Sequence, residues 1–181
     1  MMKIIYERIS KYGLVDWAVV RQGVVGIPSQ LDRLPSSCVE NYALLKIEEV
    51  SIDHPLFHLI ANLSDSRNLS TSEIISQLEQ ICNVQSLNME RAMRIWRAVA
   101  VEEVIEDLDS SPVYGLIKIS EFWSSWGWPS DVPSSINIHL NNLPEHDYHS
   151  DVNYKKVIRE HVDWIKIELT ALKNSSDSAE N

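Results

Sequence analysis

Apolar residues recur at helical spacing along nearly the whole of this 181-residue chain. That periodicity admits one kind of structure: amphipathic helices buried against one another. Only residues 136–140 approach the strict alternation of a half-buried strand. The sequence therefore predicts an all-α fold, a single irregular multi-helix domain of about seven or eight helices. The domain spans residues 1–173, and residues 174–181 form a polar tail expected to be disordered, having no apolar residue larger than Ala.

Local chemistry punctuates the helices. Ile4, Ile5 and Ile9 carry the first, with Gly13 as its stop. Asp16 is placed to cap a second helix bearing Trp17 and Val20, which ends near Gly23 or Gly26. Ser37-Cys-Val-Glu40 has the spacing of a capping box and predicts a helix to about Val50. Asp53 predicts another cap, with Leu56, Phe57, Ile60 and Leu63 facing inward. Ser70-Thr-Ser-Glu73 is a second capping box, ahead of Ile74, Leu78, Ile81 and Cys82. Asn88 is expected to open the longest helix, to about Leu108, on a stripe of Met89, Met93, Trp96, Ala100 and Val104. Ser111-Pro112 starts the next, whose expected buried face is Val113, Leu116, Ile117, Ser120 and Trp123. A last helix over residues 153–173 aligns Tyr154, Ile158, His161, Ile165, Leu169 and Leu172.

Composition narrows the function. Formal net charge is −10, from 26 acidic and 16 basic residues. Nucleic-acid binding rests on Lys and Arg meeting phosphate, so neither nucleic acid nor an anionic membrane surface suits this chain. A basic protein partner does. Cys38 and Cys82 stand alone among apolar neighbours, which fits free thiols better than a disulfide framework. The amino terminus lacks the apolar stretch of a signal peptide, and no apolar run is long enough to span a bilayer, so a cytoplasmic location is expected.

Catalytic signatures are thin. Asp53-His54-Pro55-Leu56-Phe57-His58 places two His four residues apart, a spacing that can share a metal, but Pro55 stands between them and the usual Glu is missing. His146-Asp-Tyr-His149 could bind a metal or supply a base, and equally reads as a loop leading into a helix cap. A metal-dependent hydrolase using either pair is the enzymatic alternative. With five Gly in all and no phosphate-loop pattern, the sequence implies no nucleotide cofactor and no resident metal.

Two features point to binding instead. Glu102, Glu103, Glu106, Asp107 and Asp109 crowd a helix C-terminus, where the macrodipole disfavours negative charge. They read as a docking face for a basic partner, or more plainly as a solvated face. Phe122-Trp-Ser-Ser-Trp-Gly-Trp-Pro129 puts three Trp within six residues, before Asp131 and Pro133. Trp123 falls on the core face by spacing. Trp126 and Trp128 either wrap the helix end or form a platform for a partner, which gives a helical scaffold as a further alternative.

Tyr12-Gly-Leu-Val-Asp-Trp17, Asp109-Ser-Ser-Pro112 and the segment from Phe122 to Pro133 together resemble a family of uncharacterised bacterial proteins with a domain of unknown function. Some similar proteins occur among the immunity genes of bacterial toxin systems. The resemblance spans most of residues 3–172 and rests on packing and turn residues, so it implies a helical fold and no catalytic residue. It also implies a role: a non-enzymatic protein that covers the basic site of a cognate toxin, such as a nuclease domain.

Overall fold

The computed structural model describes residues 1–136 and 143–177, with side chains through Ser175. Among the described residues it is all helical, with no strand. Nine α-helices follow in order among these residues: α1 Met2–Lys11, α2 Trp17–Val25, α3 Ser36–Ile47, α4 Phe57–Leu63, α5 Thr71–Val84, α6 Met89–Glu106, α7 Pro112–Ser125, α8 Glu145–Tyr148 and α9 Asp151–Asp177. Single 3-10 turns lie at Ser66–Asn68 and Ser134–Ile136. The alternating residues at 137–140 and the tail at 178–181 lie outside the described residues. The helix α9 itself continues to Asp177, and at 27 residues it is longer than α6 at 18. The longest helix is thus the last one. Its polar end, past Lys173, carries no apolar stripe from which a continuation could be read.

The chain forms two compact units, Met1–Trp96 and Arg97–Asn181, with the division inside α6. In the first unit α2 packs on α5, and α3 packs on α4 and on the Ser66–Asn68 turn. Trp96 anchors this unit. It is fully buried, donates its indole N–H to the Val19 carbonyl at 2.8 Å, and stacks on Tyr6. Gly23 admits the indole: a Cβ there would lie 2.6 Å from Trp96 Cζ2 and 3.0 Å from Leu34 Cβ. Gly23 is therefore a contact in mid-helix, and α2 stops at Gly26, whose φ of 108° suits only glycine.

Several caps form as their residues dictate. Asp16 accepts from Val19 N at 2.8 Å, Asn88 from Arg91 N at 3.0 Å, and Ser70 with Glu73 completes a reciprocal capping box. Three expected side-chain caps do not form: Ser111 stands at the N-cap of α7 without a side-chain cap hydrogen bond, and Ser37 and Asp53 miss the N-cap position. The helix α3 begins at Ser36, behind Pro35, so Ser37 lies inside the first turn where its hydroxyl cannot cap. Glu40 instead accepts from Ser66 Oγ at 3.3 Å, tying α3 to the 3-10 turn. Asp53 precedes a run of turns, and α4 starts only at Phe57. There His54 acts as the local acceptor, its Nδ1 taking Leu56 N–H at 3.1 Å.

In the second unit α9 packs against α7, α8 and the Ser134–Ile136 turn. The buried face of α7 is Gly115, Leu116, Ile119, Phe122 and Trp123. Val113 and Ile117, expected inside, are 40% and 45% exposed, and Ser120 is only half-buried. The helix is rotated from the expected phase because Gly115 faces inward. A Cβ at that position would overlap the Tyr154 hydroxyl and ring. Tyr154, on α9, lies against the bare backbone and donates its hydroxyl to the Asp109 carbonyl at 2.7 Å.

Candidate functional site

The acids at the end of α6 acquire local partners from the fold. Glu102 and Glu103 are half-buried and both engaged; Glu106, Asp107 and Asp109 are exposed. Lys118 of α7 donates to the Asp107 carboxylate at 2.7 Å and to its carbonyl at 2.6 Å. That hydrogen bond and the ammonium charge hold the Asp107 carboxyl below its ordinary range. A cation against the last carbonyls also offsets the macrodipole. Asp109 serves the next element, its carboxylate accepting from Ser111 N at 2.6 Å at the entry to α7.

The Trp-rich segment ends α7 in a Schellman motif. Gly127 N bonds Ser124 O and Trp128 N bonds Trp123 O, each at 3.0 Å. Gly127 has φ 71°, as the motif requires, and Trp128 follows in the left-handed region with φ 51°. A bulky residue there is strained by about 1–2 kcal/mol. Trp123 is fully buried. Trp126 is half-buried and tilted over Phe122, and Trp128 is 37% exposed. The indole N–H of Trp126 is buried without an acceptor.

Around Trp123 lies a cluster that periodicity did not reveal. The Arg97 guanidinium sits 6.0 Å from the Trp123 ring centroid and 5.5 Å from that of Trp164, and it pairs with Asp131. Asp131, expected to meet a partner, thus clamps the loop after α7 to a largely buried Arg. One signal was available: Arg97 interrupts the buried run from Ile95 to Val101. Trp123 donates its N–H to His161 Nε2 at 2.8 Å, while His161 Nδ1 lies 2.7 Å from the Val157 carbonyl. These contacts select the neutral ring protonated at Nδ1. Burial depresses the His161 pKa, outweighing the carbonyl and Glu160, which favour the cation.

That geometry has a measurable consequence. Unfolded His161 gains a proton as the pH falls below its ordinary 6.5, while the folded ring resists it. The stability it contributes is present above that value and lost as the pH drops toward the lowered folded pKa. Chemical denaturation between pH 7.5 and 5 should show wild type losing stability more steeply than His161→Gln, by at most about 1.4 kcal/mol per pH unit. Equal slopes would contradict the assignment.

The other described histidines form no cluster within either unit. His54 lies in the turns before α4 and not on the helix with His58, so the one-turn spacing between them does not exist; both are exposed. His146 contacts Asp147 at 3.1 Å, both exposed on α8, and His149 caps its end against the buried Tyr148. Among the described residues no group of three or more His, Cys, Asp or Glu is arranged to hold a metal ion. Cys38 and Cys82 are both free and buried, and burial raises both thiol pKa values, that of Cys82 to about 11.

The family model described as "Uncharacterized protein conserved in bacteria (DUF2247)" matches residues 6–169. The chain is a DUF2247 protein. No curated protein and no solved structure matches it. The DUF2247 match takes in the acidic helix end, the Trp-rich turn and the five histidines considered above. Among the described residues, no helix is long and apolar enough to cross a membrane.

Proposed function

We propose that this DUF2247 protein is a non-enzymatic binding protein that neutralises a basic protein partner, a bacterial toxin domain, by covering its cationic site. One observation carries the reading: the charge is segregated. Between residues 97 and 151 the only cations are Arg97 and Lys118, against Glu102, Glu103, Glu106, Asp107, Asp109, Glu121, Asp131, Glu145, Asp147 and Asp151. That is 2 basic against 10 acidic residues, a net −8 out of −10 for the chain. The rest is nearly balanced, 14 against 16. Both cations are already paired, Arg97 with Asp131 and Lys118 with Asp107. An acidic excess of this size raises the local concentration of a basic partner and orients it, with a strong dependence on salt.

The resemblance to proteins of toxin-immunity loci supports the choice of partner. A nuclease cleft is lined with cations that meet phosphate, and an acidic protein competes for it without chemistry of its own. Purification of the chain from its native host at moderate salt is expected to retain a basic protein at a 1:1 ratio, whose activity the chain suppresses in a dose-dependent assay. Recovery of no stoichiometric basic protein, or of one whose activity is unaffected, would contradict the proposal.

A further inference from the structure

We infer that the partner docks on the exposed face of α7, on Val113, Tyr114 and Ile117. The inference rests on the acidic-binding reading above and names its surface. Val113 and Ile117 were expected in the core, yet they are 40% and 45% exposed, and Tyr114 between them is 66% exposed. The cause is the inward turn of Gly115, which puts the bare backbone of α7, not Val113 or Ile117, against the Tyr154 ring of α9. Val113 and Ile117 are one turn apart on a single row, and Tyr114 stands beside them. Three apolar or aromatic side chains thus share one outward stripe, and Tyr is a residue type that concentrates binding energy at interfaces.

Carboxylates rim the stripe. Glu121 is exposed one turn beyond Ile117. Asp107 is brought alongside by its 2.7 Å bond to Lys118, itself one turn beyond Tyr114, so the rim holds two carboxylates against one cation and Glu121 supplies its uncompensated charge. An apolar centre with an acidic rim complements an apolar centre with a basic rim. A second copy of this chain would set acids against acids, and an anionic lipid surface would meet the same repulsion. The occupant is therefore a protein surface carrying exposed apolar side chains among Lys and Arg.

The probe is a synthetic helical peptide of Leu and Lys at amphipathic spacing, with affinity read by fluorescence anisotropy and location by hydrogen exchange. The wild type is expected to bind it 1:1 in a salt-dependent manner and to gain protection in α7. Tyr114→Ala with Ile117→Ser should weaken binding about tenfold. Leu44→Ser with Leu45→Ser, at an exposed apolar pair on α3, should not. Salt-dependent binding equal in both variants would overturn the α7 face and leave the broader function standing. Absence of binding at low salt would remove both. Self-association of the wild type that the α7 variant abolishes would overturn the inference in favour of a second copy.

Discussion

Replacing Trp123 with Ala is expected to cost about 3–5 kcal/mol of folding stability. The indole is fully buried and touches Phe122, Trp164 and the Arg97 guanidinium. Its removal also leaves His161 Nε2 without its 2.8 Å donor, inside a core that water does not reach. Trp128→Ala should cost less than about 1 kcal/mol, because that side chain is partly exposed and its backbone bond to Trp123 O survives. Urea denaturation followed by far-ultraviolet circular dichroism separates the two. Equally small losses would mean that the Trp-rich turn is a surface platform throughout, and equally large ones that Trp128 is core as well. The predicted inequality means that its first Trp is core, and that only the later two are open to other roles.

Gly115→Ala should destabilise by about 1–3 kcal/mol, the usual cost of overpacking. The sign is the informative part. In an ordinary helix interior this change stabilises by roughly 0.5–1 kcal/mol through backbone entropy and propensity. Here the new methyl would meet the Tyr154 ring, with Cε2 at 2.6 Å and the hydroxyl closer still. To make room, Tyr154 must abandon its bond to the Asp109 carbonyl. The double variant Gly115→Ala with Tyr154→Ala should then be no less stable than Tyr154→Ala alone. Stabilisation by the single variant would show that α7 and α9 do not approach as described.

Much of this fold could be read from the chain because its helix starts are local chemistry. Asp16, Ser70 and Asn88 cap wherever their backbone N–H groups lie, and no tertiary contact is needed to place them. The failures came where a residue's role depends on something distant. Ser37 has capping-box spacing, but Pro35 starts the helix earlier and Ser66 claims Glu40. Glycine counts as neutral in a search for apolar stripes, so the inward faces at Gly23 and Gly115 were invisible until Trp96 and Tyr154 were found against them. That single omission put Val113 and Ile117 on the wrong side of α7. At the candidate site the acidic residues could be named from sequence. Their engagement by Lys118, Ser111 and Arg97 could not, since it joins residues from 2 to 34 positions apart along the chain.

Segregated negative charge is the central claim, and a matched pair of variants tests it most directly. One carries Glu106→Gln, Glu121→Gln and Glu145→Gln, from the acidic stretch. The other carries Glu48→Gln, Asp53→Asn and Glu90→Gln, from the balanced remainder, so that both lose three charges. Binding of the Leu/Lys peptide is measured against salt concentration for each. The first variant is predicted to bind more weakly with a shallower salt dependence, while the second keeps the affinity and slope of the wild type. Identical loss in both variants would show that the charge acts as a diffuse whole, and the account of a dedicated acidic surface would be wrong.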